Sequence, residues 1–333
     1  MALPTAEFGA TGLTLPRLGL GLAALGRPGY INLGHGEDLA SNYVKEAMEG
    51  RTHRLLDLAV QNGIRYFDAA RSYGCAEDFL LSWLEQNGKA LTDSLVIGSK
   101  WGYTYTADWK VEADTHEVKD HSAANLKKQW EESSCLRPYL KLYQIHSATL
   151  DTGVLDDVQV LDTLSRLKAD GLLIGLSISG ADQPAVLDKA LGIELDGRRL
   201  FDSAQLTYNV LEQSAAPTLE AAAAGGLGII VKEALANGRL TERNNSDNFA
   251  DCKAALSELA EKYHCGLDTI ALAFVLRQPW AHVVLSGAVT ERHLESNLKA
   301  ARIPVQDDEL AALESLQMET KAYWQERAEL AWN

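Results

Sequence analysis

The chain has 333 residues, 46% hydrophobic and 23% charged, enough apolar content for one large α/β core or two ordinary domains. Its formal net charge of −15, with no basic block interleaved with aromatics to offset it, argues against a nucleic-acid partner. No stretch is long and apolar enough to span a membrane, residues 1–10 lack the basic start and apolar core of a secretory signal, and a cytoplasmic protein is expected.

Apolar runs of β type alternate with amphipathic helical stretches along the whole sequence, the pattern of a parallel sheet wound with helices. The first candidate strand, 17–21, is followed by a Gly-rich segment, 24–42, which contains His35 and is expected to lie over one end of the sheet. A helical stretch at 52–61, closed by Gly63, leads to strand 65–70, and a second at 78–86, closed by Gly88, leads to strand 95–100. An aromatic-rich interruption at 101–119 carries Trp101, Tyr103, Tyr105 and Trp109, placed either to touch a substrate or to pack as an ordinary loop. The helical stretch 123–131 precedes strand 142–146, and 158–169 with Gly171 precedes strand 173–177. Strand 202–206 follows, and 214–224 with Gly225 precedes strand 228–231. Strand 282–285 makes about eight, the barrel number, so the expected fold is an α/β (β/α)8 TIM barrel. No Ser-, Gly- or Pro-rich linker divides the chain, so a single domain is expected over 1–333. The tail from Asp307, helical at first and then carrying Tyr323, Trp324 and Trp332, either closes over the barrel or packs on its side.

Four reactive side chains, Asp68, Tyr73, Lys100 and His146, fall at or just past the C-terminal ends of successive candidate strands, where parallel barrels collect their chemistry. Singly, Asp68 reads as readily as a helix cap, Tyr73 as a packed aromatic, Lys100 as a solvated charge and His146 as a satisfied core histidine. Their joint order points to chemistry. Moving a hydride to a carbonyl carbon requires a proton donor at the oxygen and a group that stabilises the charge developing there. Tyr73 can give the proton. A free phenol titrates near ~10, and Lys100, held by Asp68, is expected to favour the phenolate. His146 can donate a hydrogen bond to the carbonyl oxygen and orient it.

No metal site is expected, because His116, His121 and His146 lack ligand spacing and neither His-x-His nor His-Glu-x-x-His occurs. Cys75, Cys135, Cys252 and Cys265 form no C-x-x-C pair, so reduced thiols are expected. Cys75, near a helix start, is read as a small packed side chain in preference to a reactive thiolate.

The stretch Tyr66-Phe-Asp-Ala-Ala-Arg-Ser-Tyr-Gly74 resembles the strand-two signature of the aldo-keto reductases. Val96-Ile-Gly-Ser-Lys100 resembles their lysine strand and Leu142-Tyr-Gln-Ile-His146 their histidine strand. The likeness continues through Gly175-Leu-Ser-Ile178, Gln205-Leu-Thr-Tyr-Asn209 and residues 287–297, nearly the whole barrel. It implies a small-molecule carbonyl, alcohol or sugar substrate, with Tyr73 as general acid in reduction and as tyrosinate base in the reverse direction, assisted by Asp68, Lys100 and His146. It also implies a nicotinamide dinucleotide, NADP or NAD, bound in extended form across the barrel mouth without a Rossmann domain.

The resemblance assigns cofactor contacts less evenly. Ser177 and Gln205 match positions that hold the nicotinamide carboxamide, while Ile178 replaces the usual Asn. Lys232 stands where the family has an aromatic that stacks on nicotinamide. It is placed to contact either the cofactor or an anionic substrate, or to pair with Glu233 at the surface. Gly287, Thr290, His293 and Asn297 fit the adenosine end, where a helix N-terminus can receive a phosphate. Only Arg292 and His293 are available there for a 2′-phosphate, so NAD and NADP both stay open.

The segment Leu18-Gly-Leu-Gly-Leu-Ala-Ala-Leu-Gly26 loosely resembles the branch that oxidises aldoses to lactones. The departures Ile178, Val231, Lys232 and Val289 keep an alternative in view: the same fold performing dehydration, isomerisation or cyclisation, or serving as a binding subunit.

Overall fold

Eight parallel strands form a closed barrel in a computed structural model that describes residues 2–195 and 197–333. They are β1 (Leu18–Gly21), β2 (Tyr66–Asp68), β3 (Val96–Trp101), β4 (Leu140–Ala148), β5 (Leu173–Ile178), β6 (Ser203–Thr207), β7 (Gly228–Lys232) and β8 (Val283–Ser286). Each strand pairs with its neighbours in sequence, β5 with β6 through Gly175 and Ser203, and β8 returns to β1 through Leu285 and Gly19. All eight lie within one residue or two of the strands expected from the apolar runs, except that β2 is shorter by three residues and β4 extends further at both ends.

Period-two alternation decides what faces the barrel axis. Tyr66, Val96, Leu142, Ile230 and Val283 pack together as a lower layer inside the barrel, joined by Phe8 and Leu15. Two residues further along β2, β4 and β7 come Asp68, Gln144 and Lys232, and β3 contributes Lys100, so polar groups rise in the same inward rows above an apolar base. The alternate residues Phe67, Ile97, Tyr143 and Ile145 instead pack outward against the helices.

The base is sealed by a hairpin, Thr5–Glu7 with Thr14–Pro16, which the sequence reading did not find. Its three-residue strands are too short to show an alternation. Phe8 at its turn is fully buried against Gly228, where a Cβ would meet the ring at 2.8 Å. Outer helices include Lys45–Gln61, Ala76–Gln86, Ala123–Glu132, Val158–Ala169 and Ala216–Ala224, and these overlap the expected stretches. The first begins seven residues early because its opening turns bury only Met48, too little to mark a stripe. Gln183–Leu191, Ala250–Tyr263 and Leu267–Arg277 complete the ring near β5 to β8. The last of these is buried on nearly every side and therefore carries no amphipathic period.

Two segments cover the mouth opposite the hairpin. The Gly-rich segment after β1 lies there, as expected. The tail closes over the barrel: helix Thr320–Ala328 crosses the mouth, and Asn333 exchanges backbone hydrogen bonds with Tyr30 at 3.1 and 3.2 Å. No helix is long and apolar enough to cross a membrane among the described residues.

Candidate active site

Inward rows of β2, β3 and β4 bring Asp68, Lys100 and His146 together at the C-terminal mouth, and the loop after β2 brings Tyr73 to them. That loop sits against the first βα loop through two glycines. Gly74 has φ +61°, and a Cβ on it or on Gly26 would collide with the other strand's backbone, where Cys75 N donates to Gly26 O at 2.7 Å.

Every proton of the buried Lys100 ammonium is used: it donates to Asp68 Oδ2, to Ala69 O at 3.1 Å and to Tyr73 Oη at 3.2 Å. The other oxygen of Asp68 accepts from Tyr66 Oη at 3.0 Å, Gln205 Nε2 at 2.9 Å and Gln144 Nε2 at 3.3 Å. Lys100 is thereby an ion-paired cation fixed in place. Tyr73 Oη lies 3.4 Å from His146 Nε2, and Ser72 Oγ lies 3.3 Å from His146 Nδ1.

Electrostatics differ from the sequence expectation at one point. Lys100 was expected to favour the Tyr73 phenolate. Burial instead pushes the phenol well above its usual range, the Asp68 charge adds to the rise, and Arg27 opposes it. With burial the largest influence, the phenol stays protonated at neutral pH. His146 is held well below the usual histidine range, first by burial and then by Lys100, Arg27 and Lys232, so its imidazole is neutral.

The turn after His146 is clamped on both sides. Ser147 has φ +49°, and the β4–β5 register shifts between Ile145 and Ala148. His121 Nε2 meets His146 O at 2.8 Å, and Ser147 N donates to Ser177 Oγ at 2.8 Å. Burial lowers His121 to about 4, so it is neutral: Nε2 carries the proton and Nδ1 accepts from Thr152 Oγ1 at 3.0 Å.

A cleft of about 960 Å³ runs across the mouth from Tyr73 and His146 to β8 and the helix after it. Asp68, Tyr73, His146, Gln205, Lys232, Gly287, Thr290, His293 and Asn297 line it. Two predicted residues do not: Lys100 lies beneath Tyr73, and Ser177 lies behind the turn at Ser147. Of the aromatics in the loop after β3, Tyr103 lines the cleft, Trp101 is buried at the end of β3, and Trp109 donates to Tyr43 O at 2.6 Å away from it. Sequence reasoning missed Arg27 and Ser72. Arg27 donates to Ser72 O at 3.1 Å and Glu117 Oε1 at 2.7 Å, and stacks over Tyr73, Tyr30 and Trp332. Its only sequence signal was membership of the Gly-rich loop.

The far end of the cleft fits an extended dinucleotide. Asn297 Oδ1 is buried without a hydrogen-bond partner, while Asn297 Nδ2 donates to Ser286 Oγ at 2.8 Å. A Cβ on Gly287 would meet nothing within 4 Å, so the backbone there is open to close approach. Thr290 caps the helix Glu291–Ala300 by accepting from His293 N at 3.2 Å. No group of three or more His, Cys, Asp or Glu side chains is placed to hold a metal ion among the described residues.

Residues 17–318 match the model of the Aldo/keto reductase family. Aldo-keto reductase str7 of Strobilurus tenacellus is 24% identical over 96% of this chain and 94% of its own length. The NADH-specific methylglyoxal reductase of Escherichia coli K12 is 22% identical over 90% of this chain and 94% of its own. In three dimensions the holo form of aldo-keto reductase AKR11C1 from Bacillus halodurans superposes with a TM-score of 0.71, at 20% identity, over 94% of this chain and 96% of that one. That likeness is one of fold.

Proposed function

The chain belongs to the aldo/keto reductase family and is an oxidoreductase, and from that premise we propose that it reduces a small aldehyde, ketone or aldose with Tyr73 as proton donor and NADH as reductant. The observation that carries this reading is the protonated Tyr73 phenol held between an ion-paired Lys100 and a neutral His146 at the cleft wall.

A bound nicotinamide dinucleotide supplies the hydride. Tyr73 gives its proton to the carbonyl oxygen as that hydride arrives at the carbonyl carbon. Lys100 keeps a hydrogen bond on Oη throughout and stabilises the phenolate left behind. Ser72, donating to His146 Nδ1, fixes the tautomer in which Nε2–H points at the carbonyl oxygen. Asp68, triply hydrogen-bonded, anchors Lys100 and keeps the phenol from ionising beforehand. Gln205 is the group that would hold the carboxamide, since Ser177 is turned behind Ser147 and outside the cleft, and Gly287, Thr290 and Asn297 are those that would hold the adenosine half.

His293 and Asp38 favour NADH over NADPH. The Asp38 carboxylate is bound by Arg243 and lies 3.6 Å from His293 Nε2, facing the same end of the cleft. Burial lowers the His293 imidazole, which is then neutral, and Arg243 is already committed to Asp38. Arg292, which also lines the cleft, is then the cation left for a 2′-phosphate, and the Asp38 carboxylate would oppose that phosphate there.

Oxidation of NADH and NADPH, followed at the reduced-nicotinamide band with a panel of aldehydes, ketones and aldoses, tests the proposal. Turnover is expected with NADH at lower KM than with NADPH. Lower KM for NADPH would overturn the cofactor assignment, and no oxidation of either with any carbonyl would overturn the reaction.

A further inference from the structure

At the top of β7 the Lys232 ammonium faces the cleft on the wall across from the loop that carries Tyr73. An ammonium has three protons to give. Lys232 Nζ donates one to Ser179 Oγ and one to Thr207 Oγ1, both at 2.8 Å. Its nearest carboxylate oxygen, Glu233 Oε1, is 3.9 Å away, too far for a hydrogen bond. Arg327 already grips that carboxylate with Nε at 2.9 and 3.0 Å. One proton of Lys232 is therefore left for the cleft.

Charge accounting at this end leaves Lys232 in surplus. Three carboxylates line it, and each has its own cation: Asp68 has Lys100, Glu117 has Arg27, and Glu233 has Arg327. Burial, opposed by Glu233 and Asp68 and reinforced by Arg327 and Lys100, brings Lys232 down to about 8. Removing an ammonium from water without a dedicated counter-charge is unfavourable. A ligand anion would supply that counter-charge. Ser179 Oγ, which accepts from Lys232, lies 3.4 Å from the hydroxyl of Ser147, the residue after His146, and Lys232 and His146 line the same cleft, so such an anion would sit near the reacting carbonyl.

We propose that Lys232 is the substrate's anion subsite, and that the protein acts on short-chain oxo acids whose carboxylate takes the free Lys232 proton while their carbonyl oxygen meets Tyr73 and His146. This rests on the carbonyl-reducing reading above. The carboxylate is bound and does not react: the hydride goes to the carbonyl carbon, the Tyr73 proton to its oxygen, and the product is the hydroxy acid.

The test compares pairs that differ only in carboxylate against hydroxymethyl, pyruvate with hydroxyacetone and glyoxylate with glycolaldehyde, in the wild type and in Lys232→Met. The acid-to-neutral ratio of kcat/KM is expected to favour the acids in the wild type. It should fall about 10- to 100-fold in Lys232→Met, the worth of one charge-assisted hydrogen bond. A wild type that prefers the neutral members overturns the proposal. So does a ratio that moves less than about 3-fold, including the case in which Lys232→Met weakens NADH binding alone. If no carbonyl compound turns over, the reductase reading has failed, and the subsite is decided by calorimetric titration of the unreactive anion oxamate with and without NADH. Binding to the wild type that weakens at least about 10-fold in Lys232→Met supports it, and absence of binding to the wild type overturns it.

Discussion

Tyr73 and His146 owe their protonation states to their surroundings, and those states set a preference for direction. A phenol pushed well above 10, first by burial and then by the Asp68 charge, is protonated at neutral pH, which is the form that reduction needs. Reduction suits it better than alcohol oxidation, which would require the phenolate. The same residues fix a pH profile. His146, held well below 6.5, is already neutral at pH 6, and Tyr73 stays protonated beyond pH 10. Deprotonation of Lys232 near 8 removes a positive charge that was keeping His146 neutral, but burial, Lys100 and Arg27 keep it so. With a neutral aldehyde, kcat for reduction is therefore expected to be flat from about pH 6 to 9. Steady-state kinetics across that range check it, and a kcat that falls with a midpoint near pH 7 would mean that His146 or Tyr73 titrates where the structure gives it no reason to.

Among the elements, the C-terminal helix Thr320–Ala328 depends most on a single contact. Arg327 donates to both oxygens of Glu233, a residue at φ +54° just past β7, and Tyr323 Oη accepts from Asn209 Nδ2 at 2.9 Å beside it. Burial alone would raise the Glu233 carboxyl, but Arg327 and Lys232 more than reverse that and bring it to about 2. Glu233→Gln leaves a mostly buried guanidinium without its anion and is expected to cost about 3 kcal/mol at pH 7. The sign of the pH dependence follows from the lowered value. The stabilisation is complete above the unfolded carboxyl's pKa near ~4.5 and is lost as pH falls toward about 2. Thermal unfolding of wild type and Glu233→Gln should give a gap in Tm at pH 7 that narrows steadily below about pH 4.5. An equal gap at pH 7 and pH 3 would show that the pair's charge contributes nothing.

The barrel was legible in the sequence because each strand carries a short apolar run, several of them preceded by a helix that ends at a glycine, and the whole chain keeps that rhythm. Asp68, Lys100 and His146 could be found from the same strands, since alternation alone puts them in the inward rows. Parts governed by contacts distant in sequence were not legible. The hairpin at Thr5–Glu7 and Thr14–Pro16 is defined by Phe8 filling the space above Gly228, more than 200 positions away. Arg27 matters through its stacking on Tyr73 and Trp332, which only the folded loops bring together. The protonated state of Tyr73 depends first on its burial and then on the Asp68 charge beside it, neither of which residue order conveys.

What this fold assembles is a phenol that hands one proton to a carbonyl oxygen, and removal of that hydroxyl tests it most directly. Single-turnover oxidation of NADH by the Tyr73→Phe variant, with NADH affinity measured alongside by fluorescence, should give a rate about 10²- to 10⁴-fold below wild type at unchanged dinucleotide affinity. A variant that binds NADH and oxidises it at the wild-type rate would contradict the account.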